Sequence, residues 1–312
     1  MRSFISVVIV YFLLLLASAA LAQETSKNKV VITGVRFAYP LVEKWIKDYK
    51  ADNPSTEVII ETRTTTDPAK YDLLIEAYEP EKSVKDTRDY LYIGRYALLP
   101  VANASSAFAK TYHDKGLTNA LIKQLYFHDI LADKDKKQEV KVPYTIYTRL
   151  QKAGAPVTFA HYFGYEQQNI TGKAIAGADE HLIKALLKDS TGVSYGTLGL
   201  VYDATTRKPL RGIAILPVDL DDNGRVADSE KIFDDADAVI ARLESEEKSK
   251  NIPVEYLHLS LSKVNTNPEA LKFLLWVIDH GQNDLHAFGY LKPELRRFEI
   301  EKEKFEQRAA AQ

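Results

Sequence analysis

The stretch Val30-Val31-Ile32-Thr33-Gly34-Val35-Arg36-Phe37-Ala38-Tyr39-Pro40-Leu41 narrows the possible folds more than any other part of the chain. It reads as a short buried strand, a glycine turn and a helix with Pro40 in its first turn. Leu41, Val42, Trp45, Ile46 and Tyr49 then form one apolar face at helical spacing. A strand that enters a helix through such a turn aims unpaired backbone N–H groups, at the positive end of the helix dipole, at one point in space. The segment is therefore a ready anion site.

Further along, strand patterns at 57–61, 71–77, 90–101, 142–149, 192–202, 211–218 and 253–261 are interspersed with helical patterns. The helices are expected at 118–127, from Phe159 onward, and at 179–187, 233–243 and 268–281, with a charged surface helix or frayed end at 299–312. This succession predicts an α/β sheet architecture. No glycine-rich linker, tandem repeat or low-complexity tract divides the chain, which fits two lobes built from an interleaved chain.

Ahead of the first strand, Met1-Arg2 precedes an apolar run from Phe4 to Ala22. Ala20-Leu21-Ala22 has the small-x-small form of a cleavage site, and Gln23-Glu24-Thr25 turns polar at once. Residues 1–22 thus read as a secretory signal peptide, which predicts a periplasmic protein. The run is nearly long enough to span a bilayer, so an uncleaved anchor is the alternative. With 0 cysteines, lipid attachment at the cleavage site is excluded, and the core must suffice without disulfides. Cleavage removes Arg2 from 41 basic residues and leaves 40 against 43 acidic ones. That near-neutral balance gives no sign of a nucleic-acid partner.

Four segments resemble the periplasmic phosphate-binding proteins of ABC importers. The first is the opening at 30–45, where the family shows a strand, Gly-Ser-Thr-Phe-Ala-Ala-Pro-Leu and a helix with Trp. The second covers 96–101 with Leu117-Thr118 behind it. In the third, Arg149 falls on a strand-end arginine, Gly154 on a glycine of Gly-Ser-Gly-Thr, and Phe159 and Tyr162 on helix aromatics. The fourth joins Phe273-Leu274-Leu275-Trp276 with Gly281-Gln282 and Gly289-Tyr290. The resemblance implies a two-lobed type II solute-binding fold with a discontinuous first lobe. Lobe I would comprise 28–102 and 252–312, lobe II 103–251, with crossings near Val101 and Ile252. It also implies capture of phosphate or a related anion for an inner-membrane importer, and no bond-breaking chemistry.

On that resemblance the ligand residues would be Arg36, Phe37, Glu76, Arg149 and Gly154. Several family donors are replaced. Ala153 and Ala155 stand where Ser and Thr would be, Val35 and Arg36 replace the first Ser-Thr pair, and Thr64 to Thr66 is the nearest counterpart of a second anion loop. The family carboxylate falls on Ala77, or on Glu76 with a one-residue slip. Each neutral hydrogen bond lost to a buried anion forfeits roughly 1 kcal/mol, and each charge-assisted one about 1.5–3. Three readings stay open: inorganic phosphate, another small anion, or no tight ligand. The last would make the protein an envelope sensor or scaffold that docks on other membrane proteins.

A second constellation is separate. Asp219-Leu220-Asp221-Asp222-Asn223-Gly224-Arg225-Val226-Ala227-Asp228-Ser229-Glu230 matches the EF-hand loop pattern. Asp219, Asp221 and Asn223 supply hard oxygens, Arg225 a backbone carbonyl, and Glu230 the closing bidentate carboxylate, which predicts a structural Ca2+. A strand rather than a helix precedes it, and an Asp/Asn/Gly turn with a helix cap is the alternative. Gly192-Val193-Ser194-Tyr195-Gly196 matches the nucleophile elbow by letter. The elbow needs a strand before the serine and a helix after it, the reverse of the order expected here. The seven histidines show no metal-binding spacing.

Overall fold

The computed structural model describes residues 28–62, 67–78, 82–127, 140–245 and 249–311. The signal-peptide reading and the Thr64–Thr66 loop fall outside these residues. The opening segment forms as its sequence dictates. Strand β1 (Lys29–Gly34) ends at Gly34, a single 3-10 turn covers Arg36–Ala38, and a helix runs over Tyr39–Asp52 with Pro40 in its first turn. The helix buries Leu41, Val42, Trp45 and Tyr49. Trp45 donates its indole N–H to the Gly281 carbonyl at 3.1 Å, and Tyr49 meets Phe273 edge to face at 5.2 Å between centroids. The opening helix is thereby packed on the Pro268–His280 helix some 220 residues away in sequence.

The remaining strands are β2 (Glu57–Ile60), β3 (Leu73–Glu76), β4 (Arg88–Asn103), β5 (Thr145–Arg149), β6 (Lys173–Ile175), β7 (Gly192–Thr197), β8 (Ile213–Ile215) and β9 (Val254–Ser262). They connect in the order β2-β1-β3-β9-β4-β7-β5-β6, with β8 on the far side of β4. The 16-residue β4 explains how one chain makes two sheets. Its first part, Arg88 to Ala97, pairs antiparallel with β9, and from Leu98 onward it pairs with β7 and β8 instead. The change of partner falls between Ala97 and Leu98, and Leu98 donates to the Pro253 carbonyl at 2.9 Å, so the two crossing segments touch there.

The halves repeat one topology without repeating sequence. In the first, β1 lies between parallel β2 and β3, and antiparallel β9 joins β3 to β4. In the second, β5 lies between parallel β6 and β7, and antiparallel β4 joins β7 to β8. Each half thus has a topological switch point beyond the carboxyl end of its central strand, where α/β sheets hold ligands.

Three local departures from the sequence reading have clear causes. The expected loop at 150–156 is shorter, because the helix begins at Gly154 and carries Pro156 in a first turn that needs no donor there. The extended stretch at 192–202 ends early in a helical turn, Leu198–Val201, which buries Leu198 and Val201 at a helical spacing. The C-terminal segment is a full helix, Leu295–Ala310, docked rather than frayed. Phe305 is buried in it, Arg308 donates to Asp89 at 2.6 Å, and Arg297 lies 3.5 Å over the Tyr92 ring.

Candidate functional site

The two switch points face each other. On one side lie the turn after β1 and the residue after β3, which are Phe37 and Ala77. On the other lies the start of the Gly154–Tyr162 helix. A Cβ placed on Gly154 would sit 2.6 Å from the Ala77 Cβ and 3.5 Å from the Phe37 ring, so the approach requires glycine. Tyr96, on β4 where its partners change, closes the back of this contact. It donates to the Ala77 carbonyl, hydrogen-bonds Thr158 at 2.7 Å, and its ring lies 5.0 Å from that of Phe37. Tyr290 reaches in from the C-terminal segment and donates to the Phe37 carbonyl at 2.9 Å.

Arg149 ends β5, and its guanidinium Nη1 donates to Asp179 at 2.5 Å. Both side chains are largely buried, 12% and 11% exposed. Asp179 opens the Asp179–Lys188 helix, where the dipole favours its charge. Burial raises its carboxyl pKa, and the Arg149 charge and hydrogen bond pull it back only in part. The pair is electrostatically close to the facing half. Burial, and after it the Asp179 carboxylate, pushes the Tyr290 hydroxyl up, while Tyr195 is pushed up by burial and, less strongly, by the same carboxylate. Arg149 Nε is buried with no hydrogen-bond partner among the described residues.

Phe37, Gly154 and Arg149 therefore gather around the facing strand ends, and the other two candidate residues do not join them. Among the described residues Arg36 is exposed and donates to the Thr62 carbonyl at 3.3 Å, from a 3-10 turn that points it outward. Glu76 accepts from Ser260 at 2.8 Å, and Ser260 in turn accepts from buried Arg88. The alternation of β3 puts Glu76 in that network and leaves Ala77 against Gly154. Burial raises the Glu76 carboxyl, against the opposing pull of Ser260 and Arg88. Asp179, the partner of Arg149, was not singled out by the sequence, where its only mark is its place at a helix start, which is also where a capping carboxylate stands.

The 219–230 loop is well ordered around its own acids. Asp219 accepts from the N–H groups of Asn223 at 3.1 Å and Gly224 at 2.7 Å, and Gly224 turns with φ of 90°. Glu230 accepts from Leu220 at 2.6 Å and Ala227 at 2.7 Å, and Asn251 ties the Asp219 carbonyl at 2.7 Å. Carboxylate oxygens of Asp219, Asp221 and Glu230 lie within 4.8 Å of one another. Asn223 and Arg225 are exposed at the rim, and the Asn223 side chain donates to Asp221 at 2.8 Å. Burial raises the Asp219 carboxyl. An all-oxygen set with two buried carboxylates and one exposed fits a hard divalent cation. Ser194, the letter-match to a nucleophile, is fully buried in β7 and donates to the Tyr147 carbonyl at 2.8 Å, so it is a sheet residue.

No family model and no curated protein matches the chain. Solved structures do match in fold. A substrate-binding protein assigned to a phosphate ABC transporter of Clostridium perfringens, with bound phosphate, is 13% identical, with a TM-score of 0.61 over 86% of this chain and 100% of that one. An ABC-type phosphate transport receptor from Vibrio cholerae is 13% identical, with a TM-score of 0.58 over 85% of this chain and 100% of that one. The CcmR regulatory domain of Synechocystis, in complex with 2-PG, is 12% identical, with a TM-score of 0.51 over 82% and 98%. The fold is that of the type II solute-binding proteins, as the four sequence segments implied, and it also serves regulatory domains. No helix among the described residues is long and apolar enough to cross a membrane.

Proposed function

We propose that the chain is an extracytoplasmic solute-binding protein of the phosphate-binding type. Its two lobes, 28–102 with 252–312 and 103–251, close on a small oxyanion at Arg149 and present it to an inner-membrane ABC importer. It is a binding protein, and bond-breaking chemistry has no part in the reading. One observation carries it: a largely buried guanidinium stands at the facing strand ends with its Nε unpartnered among the described residues, in a fold whose neighbours include a phosphate complex. Phe37 and Gly154 supply the walls, and hinge closure at the β4 and β9 crossings would bury the ligand. Calorimetry against inorganic phosphate, phosphonate, sulfate and acetate tests this. Phosphate-class anions are expected to bind, and Arg149→Met to abolish the signal. A flat panel overturns the reading.

A second reading, an envelope sensor or scaffold on the same fold, is favoured by the Asp179 carboxylate that already sits on Arg149 and by the methyl groups of Ala153 and Ala155 where hydroxyls would serve an anion. It predicts the flat panel together with a specific envelope partner in pull-downs.

The 219–230 loop is an accessory to either reading. Asp219, Asp221, Asn223, the Arg225 carbonyl and Glu230 would hold a structural Ca2+, whose binding to the folded state alone would add about 2.7 kcal/mol at a concentration one hundred times its Kd. The melting temperature is expected to rise in millimolar calcium and fall back with EGTA. Identical melts in both would remove the cation from the account.

A further inference from the structure

We propose that Glu244 is a clasp that holds the two lobes in their closed arrangement before any ligand enters, an inference that rests on the two-lobe division above. Glu244 ends the Ala236–Glu244 helix of lobe II. Its side chain reaches lobe I, where one carboxylate oxygen lies 3.0 Å from His286 Nε2 and accepts the Lys292 N–H at 2.5 Å. That part of lobe I lies beside the strand crossing. Leu291 pairs with Arg95 of β4, and Arg95 Nε donates to the Lys292 carbonyl at 2.8 Å, just before β4 changes partner.

Helix stability does not account for this carboxylate. The last turn is the negative end of the helix dipole, where a cation is favoured and an acid is not. Glu244 is therefore disfavoured by its own helix and stabilised by donors from the other lobe. The carboxylate is 22% exposed and His286 39%, so the contact is made partly out of water. Opening the lobes would give up both bonds to one charged oxygen, which are stronger than neutral ones.

The lobes are also seated on each other at this place, backbone against backbone. Lobe II contributes the Leu198–Val201 turn and lobe I the His286–Phe288 turn. A Cβ on Gly199 would lie 2.3 Å from the Phe288 carbonyl oxygen, and one on Gly289 would lie 2.3 Å from the Gly199 nitrogen. Across the cleft Ala77 and Gly154 are in contact as well, so the clasp is made with the lobes shut. Contacts present in only one of two exchanging arrangements set their ratio before a ligand arrives. Apparent affinity then follows the fraction of molecules that is competent to bind.

The test counts open and closed molecules directly. The chain has 0 cysteines, so Lys50→Cys and Lys184→Cys, at exposed positions of the Tyr39–Asp52 and Asp179–Lys188 helices, take a dye pair with nothing else labelled. Single-molecule energy transfer without added ligand should show one main population in the parent, at the separation of this structure. Glu244→Ala should raise a second population roughly tenfold, the equivalent of one charge-assisted bond. His286→Ala should raise it less, because the Lys292 bond remains. Lys208→Ala, which breaks an ion pair with Asp235 inside lobe II, should leave the ratio unchanged. A Glu244→Ala ratio equal to that of the parent, or a parent already mainly open, overturns the clasp. Should Glu244→Ala fold poorly, His286→Ala decides: a raised second population supports the clasp, and an unchanged one overturns it. No ligand is present, so a flat anion panel would remove the anion site and leave this result standing.

Discussion

Replacing Arg149 by methionine is expected to destabilise the protein by about 3–5 kcal/mol at neutral pH, read as a lower denaturation midpoint, because it strands a buried carboxylate. Asp179 keeps only 11% of its side chain in contact with solvent and has Arg149 as its ion-pair partner at 2.5 Å. Burial already raises its carboxyl above the ordinary value of 3.8 even with the guanidinium present. Removing the guanidinium raises it further. An acid whose folded-state pKa lies above its unfolded value binds more protons when folded, so its stabilising contribution is full below the unfolded pKa and is lost as pH rises through the folded one. The variant's deficit should therefore be largest at neutral pH and shrink on acidification toward the ordinary carboxylate range. Denaturation curves at neutral and mildly acid pH check this. A deficit that stays constant or grows toward acid would show that Asp179 does not carry the effect.

Gly34→Ala should have an effect of similar size for a different reason. Gly34 ends β1 with φ of 132°, a conformation that side-chain-bearing residues avoid. A Cβ there would meet the Ile75 carbonyl oxygen at 2.1 Å and the Ile75 nitrogen at 2.7 Å, both backbone atoms that a rotamer change cannot move. The expected loss is about 2–6 kcal/mol, from backbone strain together with overpacking. Ile75 also accepts from Val35 at 3.1 Å, so relief of the clash would displace the turn that sets Phe37 against Gly154 and Tyr96. Gly164→Ala is the control. Its φ is 87°, but a Cβ there would meet nothing within 4 Å, so only about 1–2 kcal/mol of strain applies. Equal losses at the two positions would show that the Ile75 contact is relieved at no cost.

The contrast between these positions also shows how far the sequence could be read. The first strand, its glycine and the helix behind it were legible because each carries a local signal: an apolar run, a residue free to take positive φ, a proline in the first turn, an apolar face at helical spacing. Arg149 and Gly154 were legible only through resemblance, because a strand-end arginine has no local signature of its own. The resemblance put the family carboxylate on Ala77, or on Glu76 with a one-residue slip, and such a slip moves a side chain to the other face, where Glu76 meets Ser260. Arg36 lies in a 3-10 turn, which rotates successive side chains out of the line that extended backbone would give them.

By itself the sequence determined an α/β chain, the strand–glycine–helix turn at Gly34 and the acidic loop at 219–230. All of these depend on neighbours within a few residues. The tertiary structure decided that β4 carries the chain from one sheet to the next, that the two halves share a topology, and that Asp179 lies against Arg149. Those facts depend on pairing between distant segments, and Arg149 and the carboxylate that neutralises it lie 30 positions apart in the chain. Local propensity cannot encode such a meeting, because only burial of the two charges together selects it.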